Sequence, residues 1–165
     1  MTKITRFAPS PTGTLHIGGV RTALFNFVYS KQQQGKFLIR IEDTDAERST
    51  REFEDNILKG LADMGIVPDE TPVRQSERAD LYQAAISSIV NSGHAYYCNC
   101  SKERLEEMRS AQQAKGSKPQ YDGKCRNLNL PLSHETVLRL KTPQDGELIF
   151  HDLVRGEVVF QNTEL

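Results

Sequence analysis

Residues 6–19 of this 165-residue chain read Arg6-Phe7-Ala8-Pro9-Ser10-Pro11-Thr12-Gly13-Thr14-Leu15-His16-Ile17-Gly18-Gly19. A short β-type segment at residues 4–8 leads into this run, and its two prolines and glycine end the strand and delay any helix until about Leu15. Apolar residues then recur at helical spacing as far as Val28, and Gly35 stands where a helix C-terminal cap is preferred. The stretch therefore predicts a strand, a tight loop and a helix.

A second strand is predicted directly after Gly35. Lys36 to Ile41 alternates, with Phe37, Ile39 and Ile41 on one face. Strand, helix and strand within about forty residues is the size of one βαβ unit, so a parallel sheet is expected.

Further elements follow along the chain. Ser49 and Glu52 form a capping-box pattern that predicts a helix ending at Gly65, and a second amphipathic helix is predicted to end at Gly93. The character then changes: the sequence predicts a short strand at 96–98, a polar helix capped by Ser101, a loop at 115–130 and β-segments at 137–141 and 148–160. A domain boundary near residue 95 is predicted, with an α/β unit at 1–95 and a mixed unit at 96–165.

The composition indicates a soluble globular protein. Hydrophobic residues make up 37%, charged residues 26%, and the formal net charge is −1. No apolar run exceeds the four residues 95–98, so no membrane span is expected, and the N-terminus lacks the apolar core of a secretory signal. Three cysteines are an odd number that does not suit a closed disulfide framework, which predicts a cytoplasmic protein with reduced thiols.

The charge is unevenly distributed. Residues 42–80 hold twelve acidic and five basic side chains, whereas residues 101–126 hold seven basic and four acidic ones. The basic stretch could face phosphates, or it could be a solvated helix face; charge alone leaves both interpretations open.

The loop-to-helix junction is a candidate anion site. The first N–H groups of a helix are unpaired and lie at the positive end of its dipole, and Gly18 and Gly19 would let a nucleotide approach the backbone. His16 could donate to a phosphate oxygen as charge develops there. The alternative is that His16 merely begins the helix and that the glycines permit close packing.

The run at residues 6–19 is closely similar to the first signature of the glutamyl-tRNA synthetases, a class I aminoacyl-tRNA synthetase family. Residues 37–45, 121–126 and 150–156 resemble segments of the same family, so the resemblance covers the chain in the right order. It implies the first half of a Rossmann-like parallel sheet, followed by part of an inserted, zinc-bearing α/β domain that meets the tRNA acceptor stem.

The resemblance also implies an activity: ATP, with Mg, activates glutamate to glutamyl-adenylate, and glutamate then passes to the 3′ end of tRNA(Glu). It assigns catalysis to His16, Gly18 and Gly19. With these three, the ATP-binding residues would be Pro9, Ser10, Pro11, Thr12 and Gly13. Glutamate would contact Arg6, Ala8, Ser10 and Glu42.

The acidic residues after the second strand allow other interpretations. Arg6 and Glu42 could instead form a structural ion pair. Glu42, Asp43 and Asp45 could be a magnesium cluster, although the resemblance favours a role in ordering the loop.

The cysteines suggest a metal site. Cys98, Cys100 and Cys125 offer three soft ligands, whereas structural zinc takes four. The family often has a histidine two residues past the third cysteine, where this chain has Asn127. Tyr121 occupies the spacing of a ligand in the related glutamyl-queuosine tRNA(Asp) synthetases, so zinc held by the three cysteines and Tyr121 is expected. Asp122 and His134 are weaker candidates, and an unmetallated site with ordinary thiols is the alternative.

No Lys-Met-Ser-Lys-Ser run, the second class I signature, occurs in this sequence. The expectation is therefore an N-terminal part of a monomeric enzyme that lacks full activation chemistry by itself. The alternatives are a glutamyl-queuosine tRNA(Asp) synthetase, a small His-x-Gly nucleotidyltransferase and a non-enzymatic zinc module that binds RNA.

Overall fold

The computed structural model describes residues 2–164. Its helices and strands are, in order, β1 (Ile4–Phe7), α1 (Ile17–Gln32), β2 (Lys36–Ile41), α2 (Arg51–Asp63), β3 (Val73–Arg74), α3 (Ala79–Asn91), β4 (Ala95–Cys98), α4 (Lys102–Ala114), β5 (Val137–Leu140), β6 (Glu147–Asp152) and β7 (Gly156–Gln161). Short 3₁₀ turns lie at Ser76–Arg78 and Asn162–Glu164. The chain packs as two units, one up to Gln83 and one from Ala84 onward.

The first unit is built on a parallel sheet of order β1-β2-β3, as the βαβ pattern predicted. Phe37, Ile39 and Ile41 of β2 are all buried, which confirms the face assigned to them. They form a core with residues of α1 and α2, including Ala23, Ile57 and Leu61. The α/β fold with a parallel sheet therefore follows from the alternation of β2 and the helical spacing that flanks it.

The loop before β3 is tied to the sheet by Asp69. Its carboxylate accepts from the backbone N–H of Phe37 at 2.7 Å and from Lys31 Nζ at 2.6 Å. The hydrogen bond from Lys31 and then the one from Phe37 hold the pKa of Asp69 below its usual value.

The end of α1 differs from the prediction. Gln34, not Gly35, takes the left-handed conformation, with φ 50°, and Gly35 N–H donates to Ser30 O at 2.8 Å in a Schellman arrangement. Gly35 is needed for a different reason: a Cβ there would lie 2.1 Å from the carbonyl oxygen of Lys3. The backbone of Lys3, which directly precedes β1, therefore lies too close to position 35 for any side chain there.

The start of α2 also differs by one residue. Thr50, not Ser49, is the N-cap, and its side chain accepts from Phe53 N at 3.2 Å. Ser49 is still part of the preceding turn, in which its N–H donates to Asp45 O. The end of α2 is as predicted, because Gly65 follows the helix with φ 75°.

The second unit contains two antiparallel pairs, β4 with β5 and the hairpin β6–β7. Ser101 caps α4 by accepting from Arg104 N, as predicted. The division between the two packing units falls within α3, whereas the predicted boundary near residue 95 separates functional domains and stays a prediction. No helix within residues 2–164 is long and apolar enough to cross a membrane.

Candidate functional site

The loop between β1 and α1 is held in place by backbone hydrogen bonds from other parts of the first unit. Glu42 N–H, at the carboxyl end of β2, donates to Pro9 O at 2.8 Å, and Thr50 N–H donates to Pro11 O at 3.1 Å. The carbonyl groups of two prolines are thus held by hydrogen bonds from the end of β2 and from the start of α2. The loop is consequently a preformed part of the fold, although it has no regular secondary structure.

Helix α2 supplies a third anchor that the sequence did not reveal. Asn56 Oδ1 accepts from Leu15 N–H at 2.9 Å. Gly60, one turn further along α2, leaves room for Leu15, since a Cβ there would lie 2.9 Å from its Cδ2. In the sequence, Asn56 directly precedes Ile57, a residue of the apolar face of α2. That position is the only sequence signal that could have suggested a contact between Asn56 and the loop.

His16 is the N-cap of α1. Its Nδ1 accepts from Gly18 N–H at 3.2 Å, so Nδ1 carries no proton and the neutral ring holds its proton on Nε2. A Cβ at position 18 would lie 2.9 Å from His16 Cε1, so Gly18 makes room for this ring. The histidine thus has one nitrogen engaged in capping and an Nε2–H donor left to serve a ligand.

A cavity of about 380 Å³ opens at this junction. Of the predicted ATP-binding and catalytic residues, those that line it are Pro9, Ser10, Thr12, Gly13, His16, Gly18 and Gly19. The lining residues to which the sequence analysis gave no role are Phe7, Thr14, Leu15, Thr22 and Ile57. Pro11 does not line this cavity, and its side chain is fully buried.

Gly13 faces open space within this cavity. A Cβ there would meet nothing within 4 Å, and its φ lies outside the left-handed region. Neither packing nor backbone conformation therefore requires glycine at position 13.

The predicted glutamate-binding residues lie around the carboxyl ends of β1 and β2 but do not line the cavity, with the exception of Ser10. The Arg6 side chain is exposed and makes no hydrogen bond or ion pair within residues 2–164. Glu42 pairs with Arg40 on its own strand, so the alternative of an Arg6–Glu42 ion pair is wrong. Ala8 is half-buried beside the loop.

The carboxylates after β2 turn to separate partners rather than to one another. Asp43 accepts from Ser76 N–H at 2.9 Å and from Ser76 Oγ at 2.5 Å, while Asp45 pairs with Arg48. Burial raises the pKa of Asp43, but the hydrogen bonds from Ser76 outweigh it and leave that pKa below its usual value. This arrangement matches the loop-ordering interpretation.

A buried carboxylate in the first unit escaped prediction. Glu54 on α2 is 4% exposed and accepts from Arg74 of β3 at 2.9 Å and 2.5 Å. The hydrogen bond to Glu54 is the main cause that raises the pKa of Arg74, and Glu77 adds to it. The pair fixes β3 against α2, next to the anchor at Thr50.

The cysteine centre lies within the second unit. The Sγ atoms of Cys98, Cys100 and Cys125 all lie within 4.8 Å of one another, with Cys98 and Cys125 each 1% exposed. Within residues 2–164, this is the one group of three or more histidine, cysteine or acidic residues close enough to hold a metal ion. Strand β4 and the residues directly after it carry Cys98 and Cys100, and the loop after α4 brings Cys125, at least 25 residues further along the chain, to the same place.

The Tyr121 side chain lies beside the three cysteines, and its role as a zinc ligand stays a prediction. Its Oη lies 3.3 Å from Cys98 Sγ and 3.4 Å from Cys100 Sγ, and it accepts from Cys125 N–H at 3.0 Å. Tetrahedral zinc with ligands at about 2.0–2.3 Å requires donor atoms about 3.5–3.8 Å apart. The 3.6 Å between Cys100 Sγ and Cys125 Sγ lies in this range and the two oxygen–sulfur distances are slightly below it, so these four donors would need only small shifts to hold such an ion. Burial and then the hydrogen bonds with the cysteines raise the pKa of Tyr121, so the metal-free phenol keeps its proton.

The weaker ligand candidates lie elsewhere. His134 is 91% exposed and stands beside Glu135, and Asn127 is exposed. Asp122 forms an ion pair with Arg104 instead of facing the sulfurs.

Comparison with known proteins gives a consistent result. Residues 3–165 match the family described as tRNA synthetases class I (E and Q), catalytic domain. A glutamate–tRNA ligase of Francisella tularensis is 53% identical over 163 residues, which are 98% of this chain and 35% of that protein. The glutamate–tRNA ligase 2 of Halorhodospira halophila is 50% identical over 165 residues, again 98% of this chain and 35% of that protein.

A solved structure is also similar. The crystal structure of a glutamate tRNA ligase from Elizabethkingia meningosepticum, in complex with its amino acid, superposes with a TM-score of 0.84 at 34% identity. The match covers 100% of this chain and 37% of that one. The chain thus spans about a third of the length of the relatives that it matches.

Proposed function

This chain belongs to the catalytic-domain family of class I tRNA synthetases for E and Q, glutamate and glutamine, and we propose that it is part of a glutamate–tRNA ligase. The enzyme would join glutamate and ATP, with Mg, into glutamyl-adenylate, release pyrophosphate and pass glutamate to tRNA(Glu). The relatives above carry the name of that ligase, which favours it over the glutamyl-queuosine and nucleotidyltransferase alternatives. An enzyme that charges tRNA would be expected to act in the cytoplasm.

The observation that carries the proposal is the preformed cavity at the N-terminus of α1. Backbone N–H groups of a helix start, the His16 Nε2–H donor and two glycines line one recess of about 380 Å³. Such a recess suits the phosphates of ATP, because the helix dipole and the unpaired N–H groups favour anions. The same donors would stabilise the charge that builds on the α-phosphate oxygens during activation.

Arg6 and Glu42 are proposed to bind glutamate. The free guanidinium of Arg6 offers two parallel donors to a carboxylate. Glu42 Oε1 pairs with Arg40, and Oε2, which has no hydrogen-bond partner within residues 2–164, would accept from an ammonium group. Both stand near the carboxyl ends of their strands, the edge at which open α/β sheets bind ligands.

Calorimetric titration of this chain with Mg-ATP tests the nucleotide site, and Gly13→Ala is the sharpest variant. We expect Gly13→Ala to fold as well as the wild-type chain, because its Cβ meets no protein atom, and to bind ATP more weakly, because the methyl group narrows the cavity. An unchanged ATP affinity in this variant would contradict the proposed pose, and no ATP binding by the wild-type chain would contradict the nucleotide site.

Glutamate binding has its own test. Arg6→Gln removes a charge that has no ion-pair partner within residues 2–164, so it should leave the unfolding midpoint unchanged and abolish saturable glutamate binding. Arg21→Gln, at an exposed position on α1, serves as the matched control. Equal glutamate affinity in the two variants would remove Arg6 from the site.

The second unit is proposed to hold structural zinc and to meet the tRNA acceptor stem. Cys98, Cys100, Tyr121 and Cys125 would be the ligands, and the basic excess at 101–126 would face the RNA backbone. Elemental analysis should find one zinc ion per chain, and Tyr121→Phe should bind zinc more weakly than the wild-type chain does. A chain that binds no zinc, or a Tyr121→Phe variant with full affinity, would contradict this ligand set.

A further inference from the structure

We propose that Arg104 and Arg139 are positioning residues of the cysteine centre, whose guanidinium groups hydrogen-bond to the thiolates and neutralise the charge of the zinc complex. The inference rests on the zinc centre proposed above. It concerns the side chains around the four ligands rather than the ligands themselves.

Arg104 reaches the centre from α4. Its Nη1 donates to Cys100 Sγ at 3.5 Å, and its Nη2 pairs with Asp122, the residue that follows Tyr121. Only 30% of the Arg104 side chain is exposed. Its two-pronged group is thus held between a carboxylate and a sulfur, a geometry that a lysine could not reproduce.

Arg139 reaches the centre from the opposite direction, on β5. Its guanidinium carbon lies 4.0 Å from the centroid of the Tyr121 ring. Its Nε is buried and has no hydrogen-bond partner within residues 2–164, so this N–H donor remains available to a thiolate. Strand β5 pairs with β4 so that Arg139 stands opposite Tyr96, two residues before Cys98. Arg104 thus contacts Cys100, and Arg139 contacts the Tyr121 ring from the strand that pairs with the one bearing Cys98.

Charge balance explains why two arginines would be placed beside the four proposed ligands. A zinc ion with three thiolates and one phenolate carries a net charge of −2, which the two guanidinium groups offset. The nearby Asp122 and Arg126 add one charge of each sign. Cys98 and Cys125 are almost completely buried, so an uncompensated anion there would be strongly disfavoured. Arg126, also near the centre, donates instead to Thr142 O at 2.6 Å and makes no contact with a sulfur within residues 2–164.

The test compares the zinc affinity of single variants of the whole 165-residue chain by competition with a chromophoric chelator. Partners of metal ligands typically contribute about 10- to 100-fold to metal affinity, so Arg104→Gln and Arg139→Gln should each weaken zinc binding by about that factor. Arg139→Lys, which keeps the charge, should recover part of the loss. Arg109→Gln is the matched control, because Arg109 lies on the same helix α4 and pairs only with Glu106.

Cobalt(II) loading provides a readout that a merely structural role would not change. A hydrogen bond lowers the energy of a thiolate lone pair, so loss of either guanidinium should move the thiolate-to-cobalt charge-transfer band to lower energy. Far-ultraviolet circular dichroism of the metal-free chains checks that each variant folds.

The outcomes separate the two proposals. Zinc affinities and band positions equal to those of Arg109→Gln would overturn the role of the arginines while leaving the zinc centre in place. A wild-type chain that binds neither zinc nor cobalt would overturn the centre and the arginine role together.

Discussion

The double engagement of His16 leads to a prediction in which stability and nucleotide affinity respond separately. Nδ1 caps α1 by accepting from Gly18 N–H at 3.2 Å, which leaves Nε2–H for a phosphate. His16→Ala removes both functions. His16→Ser restores a capping oxygen at the same position but is too short to reach a phosphate in the cavity.

The capping half has a defined magnitude. Loss of an N-cap side chain costs about 0.5–2 kcal/mol, and this bond is long and exposed, so about 1 kcal/mol or less is expected for His16→Ala. For a chain of this size 1 kcal/mol corresponds to about 2–4 °C in the unfolding midpoint. His16→Ser should return to within about 0.5 kcal/mol of the wild-type chain.

The ligand half should not recover. A hydrogen bond to a charged group contributes about 1.5–3 kcal/mol, which corresponds to about 10- to 100-fold in ATP affinity, and both variants lose it. Thermal unfolding followed by circular dichroism and calorimetric ATP titration measure the two quantities on the same samples. If His16→Ser regained ATP affinity together with stability, the histidine would act as a cap alone, and the proposed phosphate contact would be wrong.

Three further predictions concern the scaffold of the first unit. Gly35→Ala should lower the free energy of unfolding by about 1–3 kcal/mol, because its Cβ would overlap the carbonyl oxygen that precedes β1, and Gly13→Ala should change it by less than about 0.5 kcal/mol; equal urea midpoints would contradict this contrast. Glu54→Ala should lower the free energy of unfolding by urea by about 3 kcal/mol. This value is near the low end for a broken buried ion pair, because Arg74 keeps its second partner, Glu77. A loss no larger than that caused by Glu77→Ala would refute the prediction. The folded-state pKa of Asp69 lies below its unfolded value of 3.8, so its contribution is present above that pH and is lost as pH falls through the folded pKa; Asp69→Asn should flatten this acid limb of the stability curve, and an unaltered curve would count against it.

The elements predicted most accurately are those whose signals are local. The alternation in β2, the helical spacing in α1 and the cap at Ser101 each depend on neighbours within a few residues, and the structure has all three. The spacing between Tyr121 and Cys125 is also local, because the loop between them is short enough to bring Tyr121 Oη to Cys125 N–H.

The errors occurred where two adjacent residues were locally equivalent and a distant group decided between them. Ser49 and Thr50 are both good caps, but the turn begun by Asp45 extends through Ser49 and leaves the cap to Thr50. Gly35 would suit a left-handed cap by itself. In the structure, glycine is required at position 35 because the carbonyl oxygen of Lys3 lies so close to it. The left-handed conformation is adopted by the preceding residue, Gln34.

The ion-pair partners were equally inaccessible from sequence. Glu42 directly follows β2, with Arg40 of that strand two residues away and Arg6 on the neighbouring strand β1. Period-two alternation places Arg40 and Glu42 side by side, so the nearer arginine is taken and Arg6 remains free. The structural ion pair therefore exists, but with Arg40 as its partner, and this leaves Arg6 as the group available to a carboxylate from solution.

The glycines of the first unit separate what the fold needs from what a ligand would need. Gly35 is required by the backbone of Lys3, since a Cβ there would lie 2.1 Å from its carbonyl oxygen, whereas Gly60 leaves room for the side chain of Leu15. Gly18 is required by the ring of His16, which is itself a proposed ligand group. No atom within residues 2–164 requires glycine at position 13, yet Gly13 and His16 line the same cavity. Under the proposed function, the absence of a side chain at Gly13 would leave space for the bound nucleotide, which is the reason that Gly13→Ala separates ATP affinity from stability.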